Sequence, residues 1–365
     1  MGAISSGATA SGEVRIPSSG KKFYPVLEGL RGAAAILVLF RHIPTYITPI
    51  HFQMSYLAVD LFFVLSGFVI ANSYEDKLLT GAVPFRDFAV MRIIRIFPLY
   101  LIGCAIGLAA LLIEGTHEKH IVVLAILFGA LMLPLPFREI TPFPLNSPGW
   151  SLFFEFFANF AYAKLLKRLS NPVVLVLMAI SAVALIYSAF HVPQVLDVGS
   201  SRKTFAFGFP RVIFSFLGGV YIFRIKDKIL HFSAKNSLIG LIILNLCVAI
   251  LMINANHFIE VYISIFSVIL FFPCVVFLSI KVEVAGWVEK FFILLGEVSF
   301  PLYAIHAPLY KLSHAAYGKY LDPYAPYTGL LFAVIAAAIA LVVHFRIDTP
   351  LRQRLRPVAV RWLHR

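Results

Sequence analysis

Arg31 and His42 are the first residues of this sequence from which chemistry can be argued. They lie in the stretch YPVLEGLRGAAAILVLFRH, with ten residues between them. In an α-helix this spacing places the two side chains about 16 Å apart along the axis and only about 20° out of line. A cation near a membrane surface and an imidazole deep in an apolar helix are both costly in hydrocarbon. We therefore interpret the two residues, together with Glu28 one turn earlier, as a functional set.

The chemistry that such a set can perform is proton transfer beside a fixed positive charge. An imidazole that has a partner can accept a hydroxyl proton near neutral pH. The alternative is that Arg31 only anchors the chain at the membrane surface and that His42 only packs between helices.

Asp60 lies near the start of the next apolar segment, VDLFFVLSGFVIANSY, and a carboxylate at that depth needs a partner. Because the connection between the two segments is short, we expect Asp60 to lie near His42 and to orient its ring. The alternative is that Asp60 lies among the lipid headgroups and is solvated. Ser66 and Gly67 give the same segment a small face, against which another helix can pack closely.

Arg92 and Arg95 are three residues apart in FRDFAVMRIIRIFPLY, and are therefore neighbours on one helical face, with Arg86 nearby. Two guanidinium groups in a fixed arrangement suit phosphate oxygens through bidentate hydrogen bonds. Arg95 lies one turn inside an apolar helix, which is deeper than membrane anchoring requires. This depth favours a bound anion over purely topogenic charge.

Trp150, Ser151 and Glu155 open an aromatic segment, SPGWSLFFEFFANFAY. Ser151 and Glu155 share a helical face, and we expect Glu155, the only acid there, to be functional or paired. We interpret Trp150 either as a membrane-interface residue or as a flat surface for a sugar. Arg211, in GFPRVIFSFLGG, is another charge at an unexpected depth, and we expect it to pair with Glu155 or Asp60.

A polar stripe runs along a later segment, LLGEVSFPLYAIHAPLY. Gly296, Ser299, Tyr303 and His306 recur there at steps of three or four, and so share one face of a helix. Because this stripe would be expensive against lipid, we expect it to face the interior of a bundle. The sequence leaves open whether it contacts a substrate or only neighbouring helices.

The composition identifies the elements that must hold these residues. Of 365 residues, 60% are hydrophobic and only 13% are charged, and the mean hydropathy is +0.88. Soluble domains are about 25% charged, so the sequence predicts an all-α, polytopic transmembrane helix bundle embedded in a lipid bilayer. The net charge of +13 resides in short loops and chain ends, as in cytoplasmic membrane loops. A nucleic-acid partner is therefore not expected.

Eleven apolar segments are long enough to span a bilayer. The basic loops favour about ten crossings with both termini cytoplasmic. The weakest candidate, 119–136, runs into a series of prolines, and we interpret it as a re-entrant or interfacial segment beside a site; the alternative is that all eleven cross. The predicted domains are a disordered cytoplasmic tail (1–22), a transmembrane domain (23–348) and a basic cytoplasmic tail (349–365).

Several familiar catalytic patterns are missing from the sequence. It contains no Walker loop, GxSxG elbow, HExxH motif or CxxC spacing, so soluble hydrolase, ATPase and zinc chemistries lack support. Cys104, Cys247 and Cys274 lie in apolar runs without paired spacing, and we interpret them as small buried hydrophobes. No metal is expected.

The ordered series of motifs resembles the acyltransferase 3 family of integral-membrane acyltransferases, which acylate sugars of lipopolysaccharide, exopolysaccharide and related glycans. The matching pieces, within residues of about 24–346, are LEGLRG followed by His42, VDLFFVLSGF, the arginine pair, PGWSLFFEFF, RVIFSFLGG and SFPLYAIH. Glu28 stands where the family often has aspartate, which keeps the carboxylate. The resemblance implies an enzyme of the bacterial inner membrane.

The resemblance also implies an acyl-coenzyme A donor, usually acetyl-CoA, that approaches from the cytoplasm, and a glycan acceptor. The donor phosphates would meet Arg92, Arg95 and Arg31 while the pantetheine arm reaches into the bundle. His42 would act as general base on the acceptor hydroxyl, or would relay the acyl group covalently. Tyr303, Ser151 or an arginine would stabilise the thioester oxyanion.

This interpretation divides the candidate residues by role. The catalytic candidates are His42, Asp60, Glu155 and Tyr303; the donor-binding candidates are Arg31, Arg92 and Arg95; and the substrate-binding candidates are Glu28, Trp150, Ser151, Arg211 and His306.

Two other classes of function stay open at the level of sequence. A transporter or flippase of a lipid-linked or anionic sugar would also line its path with buried charges, but it has no reason to bind CoA. A non-catalytic partner in a polysaccharide assembly complex would tolerate alanine at Arg31, His42 and Arg95.

Overall fold

The computed structural model describes residues 22–115, 118–137, 140–229 and 233–363. The predicted N-terminal tail therefore lies almost wholly outside the described residues. Within the described ranges the regular secondary structure is helical apart from one two-residue strand pair, which confirms the all-α fold.

Each of the eleven apolar segments contains a helix. In chain order these are α1 Pro25–Arg41, α2 Ala58–Leu79, α3 Phe85–Glu114, α4 Lys119–Ala130, α5 Gly149–Leu165, α6 Asn171–His191, α7 Gly208–Ile225, α8 Ser237–Leu251, the pair α9 His257–Phe266 and α10 Phe272–Ser279, α11 Gly286–Leu321, and the pair α12 Tyr327–Val343 and α13 Thr349–Leu363. The predicted C-terminal tail is thus the helix α13.

Seven of the helical segments within the described ranges are long and apolar enough to cross a membrane, so the protein is multi-pass. The remaining four helices, α1, α4, α5 and α8, have 12 to 17 residues. The shortest is α4, whose 12 residues extend only about 18 Å, against a hydrocarbon core of about 30 Å. The helix α4 alone is therefore too short to cross the bilayer, as expected for the weakest candidate. The total of ten crossings stays a prediction.

Two helical pairs are joined by a π-helical turn, and the sequence explains both. The turn Ser267–Phe271 is followed by Pro273, and the turn His344–Asp348 is followed by Pro350. A proline inside a helix removes a hydrogen bond and clashes with the carbonyl group four residues earlier. The wider π turn accommodates that carbonyl while the chain continues as a helix.

The helices α1 and α11 run parallel and form the centre of the bundle. Gly32 of α1 lies directly against the backbone of Leu295 in α11, and further along His42 contacts His306. We call the end of the bundle at which α1 and α11 begin the lower end, and the end near His42 the upper end. The close approach depends on glycine, because any side chain at residue 32 would overlap the α11 backbone.

A second close approach joins α2 to α7. Gly67 lies against the backbone carbonyl group of Phe216, and Gly219 lies against that of Val64. The small face predicted for α2 therefore packs against another helix, as expected.

The proline-rich stretch between α4 and α5 packs against the bundle core. Asn146 is buried, and its side-chain nitrogen donates a hydrogen bond of 2.9 Å to the carbonyl oxygen of Ala304 in α11. The backbone of Leu145 lies against Gly107 of α3. The stretch thus lies beside Tyr303, in agreement with the expectation that it borders a site.

The strand pair closes the lower end of the bundle. β1 Ala234–Lys235 pairs in parallel with β2 Val282–Glu283, with Ala234 opposite Val282. Lys22 reaches Glu283 at 3.0 Å, and this hydrogen bond lowers the pKa of the Glu283 carboxyl group. The contact ties the chain before α1 to the chain before α11.

Candidate active site

A cavity of about 170 Å³ lies between α1, α2, α3, α5 and α11, and we call it the central cavity. Its wall combines apolar side chains with most of the candidate residues from the sequence. The candidates that line it are Glu28, Arg31, Arg92, Arg95, Ser151, Glu155 and Tyr303.

A second cavity of about 230 Å³ adjoins it at the lower end, and we call it the lower cavity. Both cavities are lined by Glu28, Arg31, Arg95 and Phe300. These shared residues form a junction at which the two cavities adjoin, and together the cavities extend from the lower end of the bundle to Tyr303.

Arg92 is committed to a carboxylate in the central cavity. Its Nη2 donates to Glu155 Oε1 at 2.9 Å, and the hydroxyl group of Ser66 donates to the same oxygen at 2.8 Å. Glu155 is therefore paired, which was one of the two expectations for it. Arg92 thus holds an acid through Nη2, while its buried Nε has no hydrogen-bond partner among the described residues. A joint phosphate site of Arg92 and Arg95 stays a prediction.

Arg95 differs from Arg92 in having no ion pair or hydrogen bond to a described residue. Its guanidinium group lies 5.9 Å from the ring centre of Phe300, where a cation–π contact holds it without neutralising its charge. Because Arg95 lines both cavities, it presents an uncompensated positive charge at their junction.

Arg31 is fixed from three sides at the same junction. Its Nε donates to the Ser299 hydroxyl group at 2.9 Å, and its Nη2 donates to the carbonyl oxygen of Gly296 at 3.2 Å and to Glu28. Two of these partners belong to the polar stripe of α11, so the stripe faces the bundle interior as predicted. The Nη1 group of Arg31 has no hydrogen bond to a described residue and is left for a ligand.

Tyr303 closes the upper end of the central cavity. Its hydroxyl oxygen lies 2.5 Å from that of Ser151, and Ser151 also donates to the carbonyl oxygen of Pro148 at 3.0 Å. The Tyr303 ring packs edge-on against Phe62 at 5.4 Å and lies 5.8 Å from the ring of His306. Tyr303 therefore links the cavity to the histidines above it.

His42 and His306 form a hydrogen-bonded pair at the upper end. The Nδ1 of His42 lies 3.2 Å from the Nε2 of His306, with the rings 4.9 Å apart. His306 is fully buried, and its Nδ1 lies 3.0 Å from the carbonyl oxygens of Leu302 and Tyr303. The Nδ1 of His42 also lies 2.8 Å from the carbonyl oxygen of Val38.

These contacts assign the protons on two neutral rings. Carbonyl oxygens only accept hydrogen bonds, so both Nδ1 atoms carry the proton. The Nε2 of His306 is then an acceptor, and the Nδ1–H of His42 is shared between Val38 and His306. The Nε2 of His42 is left unprotonated, without a hydrogen bond to any described residue. It is the nitrogen that can take a proton from a hydroxyl group.

Asp60 does not contact His42, so the expectation that it orients the ring is wrong. It pairs instead with Arg211 at 2.5 Å, and both side chains are completely buried. This is one of the two partners expected for Arg211. The short connection between α1 and α2 placed the acid near the correct end of the bundle, but the α7 cation offers a buried carboxylate a stronger partner than a neutral imidazole does.

Arg211 and Trp150 are structural in this arrangement. Besides Asp60, Arg211 donates to the backbone oxygens of Val198 at 2.7 Å and Tyr56 at 3.2 Å. Trp150 is only 7% exposed and lies 5.5 Å from the guanidinium group. The interpretations of Trp150 as a membrane-interface residue or as an open surface for a sugar are therefore wrong, and Arg211 has no free face toward a substrate.

Asp197 is a candidate that sequence reasoning missed. It lies in the loop between α6 and α7 and reaches Arg41, the residue before His42, at 2.5 Å. Arg41 also donates to the carbonyl oxygen of Gln53 at 3.0 Å. Nothing in the sequence of the loop distinguishes Asp197. The one signal that could have indicated it is Arg41, a cation beside His42 that needs a partner.

Comparison with known proteins decides the family. A protein-family model described as "Acyltransferase domain" matches residues 24–345, nearly the whole chain. The chain belongs to the acyltransferase 3 family. The predicted resemblance is thereby confirmed, and the site described above is the candidate site of a multi-pass membrane acyltransferase.

Individual relatives of this acyltransferase agree with that assignment. "Protein 2 in picA locus" of Rhizobium radiobacter is 35% identical over 181 residues, which are 45% of this chain and 93% of that protein. Proteins of Staphylococcus aureus strains COL and MW2, named as candidate O-acetyltransferases, are 28% identical over 116 residues, which are 29% of this chain and 18% of each relative. No solved structure matches the chain.

Proposed function

We propose that this membrane O-acyltransferase moves an acyl group, acetyl in the simplest case, from acyl-CoA to a hydroxyl group of a cell-surface or exported glycan. It would act in the bacterial cytoplasmic membrane with both termini and the lower end of the bundle in the cytoplasm. The observation that carries the proposal is the pair of adjoining cavities, which extend from the arginines of the lower end to Tyr303, next to His306 of the His42–His306 pair.

The donor would enter from the lower cavity. The uncompensated charge of Arg95 and the free Nη1 of Arg31 suit phosphate oxygens. The apolar walls of the central cavity suit the uncharged pantetheine arm. Arg31 and the upper-end histidine lie about 16 Å apart along α1, so an extended arm is the kind of group that spans from one to the other.

The acceptor would approach from the upper end, where His42 is half-buried beside Arg41. In direct transfer the acceptor hydroxyl gives its proton to His42 Nε2, and its oxygen attacks the thioester carbonyl carbon. The new ester C–O bond forms, the C–S bond breaks, and the proton passes from His42 to the departing thiolate. The role of His306 is to fix the tautomer and orientation of His42, as the third member does in other nucleophile–base sites.

Tyr303 is the best-placed group to stabilise the oxyanion of the tetrahedral intermediate. Its hydroxyl group is hydrogen-bonded to Ser151 at the cavity wall. If Ser151 donates to Pro148 and Tyr303 rotates its proton into the cavity when substrate binds, the phenol becomes an oxyanion donor.

The proposal is tested with inside-out membrane vesicles that contain the chain and with externally added acetyl-CoA labelled in the acetyl group. The expected result is alkali-labile label in the glycan fraction, lost in His42→Ala and kept in Arg168→Ala, which removes an exposed basic residue outside both cavities. The opposite result is a folded protein that neither binds CoA nor transfers label but moves lipid-linked sugar across the membrane. That result would contradict the enzyme proposal and indicate a carrier.

A further inference from the structure

The lower cavity has a wall that the family model does not cover. Asp348 and Arg352 form this wall beyond residue 345, where the match to the family ends, and His344 lines the cavity just before that residue. We therefore asked which ligand chemistry these residues of the C-terminal segment suit.

Asp348 is a buried carboxylate with one unused oxygen. The residue is 1% exposed, and its Oδ2 is paired with the guanidinium group of Arg352. Its Oδ1 has no hydrogen-bond partner among the described residues. The Nδ1 of His344 is likewise buried without a hydrogen bond there, and it lies 3.7 Å from Asp348 Oδ2. Buried polar atoms are nearly always satisfied by a partner, so an orphaned acceptor beside a cavity calls for a ligand that donates a hydrogen bond.

The backbone explains how these residues come to line the cavity. His344 and Asp348 are the first and last residues of the π turn that precedes Pro350. A π turn shifts the side chains that follow it around the helix axis, and such turns occur frequently at functional sites. The turn thus directs the side chains of Asp348 and Arg352 toward the lower cavity.

The charges of the lower cavity favour a ligand that presents more than phosphate alone. Besides His344, its ionisable lining comprises three arginines and three carboxylates: Arg31, Arg95, Arg352, Glu28, Glu297 and Asp348. A site for bare phosphate needs an excess of positive charge and donors. A balanced set, which includes an acceptor without a donor, suits a ligand that carries both phosphates and N–H groups.

We propose that Asp348 and Arg352 bind the nucleotide end of the acyl-CoA donor. Asp348 Oδ1 accepts a hydrogen bond from the exocyclic amino group of adenine, and Arg352, through the nitrogens not used on Asp348, binds the ribose 3′-phosphate. Both side chains line the lower cavity, and Arg352 keeps its ion pair with Asp348 Oδ2 while Oδ1 is left for the base. This assignment rests on the proposed function and extends it to the recognition of the nucleotide.

The test compares donors that differ only at the nucleotide end. The wild-type protein in nanodiscs is assayed for release of the free thiol from four donors. These are acetyl-CoA, 3′-dephospho-acetyl-CoA, an etheno-adenine analogue in which the exocyclic amino group is blocked, and S-acetylpantetheine. Each change at the nucleotide is expected to raise KM by about tenfold, the usual effect of losing one charge-assisted hydrogen bond. Because this comparison needs no mutation, it stands even where a variant fails to fold.

Variants assign each contact to one residue. Asp348→Ala is expected to lose the discrimination between acetyl-CoA and the etheno analogue, and Arg352→Ala the discrimination between acetyl-CoA and its 3′-dephospho form. Each ratio is measured within one protein, so a general loss of activity cancels. The control Arg354→Ala, which removes an exposed arginine of the same helix, keeps both ratios.

The outcomes separate this assignment from the proposed function. Equal KM values for all four donors in the wild type, or full discrimination in Asp348→Ala and Arg352→Ala, would overturn the nucleotide site while leaving acyl transfer intact. If a folded wild-type protein used none of the donors, the proposed function itself would fail, and the nucleotide site with it.

Discussion

The Nε2 of His306 lies 3.2 Å from the Nδ1 of His42, and this contact defines which nitrogen of His42 is available as a base. His306 is completely buried and anchored to the backbone of its own helix. The imidazole of His42 is thereby fixed between α1 and α11, with its Nε2 left for the acceptor.

This pair gives the first prediction, that His306 is a positioning residue. His306→Ala should lower kcat by roughly tenfold to a hundredfold while leaving the KM for acetyl-CoA unchanged, because His42 remains but loses its orientation. His306→Gln places an amide oxygen near the position of Nε2 and should recover part of kcat. The measurement is the rate of CoA thiol release against donor concentration. Equal losses in the alanine and glutamine variants would indicate only a packing role.

The pair of Arg92 and Glu155 leads to a stability prediction. Their side chains are 15% and 20% exposed, so removal of either partner leaves a charge largely cut off from water. Arg92→Met or Glu155→Met alone should destabilise the protein by about 3 kcal/mol, and the double variant should recover most of that loss. Thermal unfolding in detergent measures the loss of stability in the two single variants and in the double variant. Additive losses in the double variant would contradict a direct pair.

The same pair bears on donor binding. Because Arg92 is already neutralised by Glu155, Arg92→Met should weaken CoA binding less than Arg95→Ala does. Isothermal titration with CoA compares the affinities of the two variants. A greater loss of CoA affinity in Arg92→Met than in Arg95→Ala would indicate that Arg92 binds the phosphate.

The completely buried pair of Asp60 and Arg211 predicts a different phenotype. Asp60→Asn leaves an uncompensated arginine that also holds the backbone at Val198 and Tyr56, and it should cost about 3–5 kcal/mol of stability. The yield of monodisperse protein and its melting temperature should fall. The protein that does fold should keep kcat within a few-fold of the wild type, since Asp60 does not contact His42. A stable variant with an abolished kcat would restore the catalytic assignment of Asp60.

Patterns within one helix were predictable from the sequence. The spacing of Arg31 and His42 predicted a shared face, and both residues do contact α11, Arg31 at Gly296 and His42 at His306. The stripe on α11 was predicted to face inward because polar groups are costly against lipid, and its members are buried. Helical periodicity and the cost of burying polar groups are sufficient for such conclusions.

Pairings between helices were not predictable in the same way. The partners of Asp60, Arg92 and Glu155 depend on which helices become neighbours, and a single sequence does not contain that information. Asp60 is an example. A buried carboxylate needs a cation as its partner, but the sequence left open whether Arg211 on α7 pairs with Asp60 or with Glu155. The π turn before Pro350, which brings Asp348 to the lower cavity, depends on a local change in backbone pairing that side-chain periodicity does not reveal.

The central claim is a division of labour, in which Arg95 binds the donor and His42 performs the proton transfer. The most direct measurement combines CoA binding and thioester turnover by the purified protein in nanodiscs, for wild type, Arg95→Ala, His42→Ala and the exposed control Arg168→Ala.

The account predicts that Arg95→Ala weakens CoA binding by about tenfold or more. It predicts that His42→Ala binds CoA as the wild type does but turns over roughly a hundred- to ten-thousandfold more slowly. Arg168→Ala should match the wild type in both. The account would be contradicted if His42→Ala turned over as fast as the wild type, or if Arg95→Ala bound CoA as tightly as the wild type.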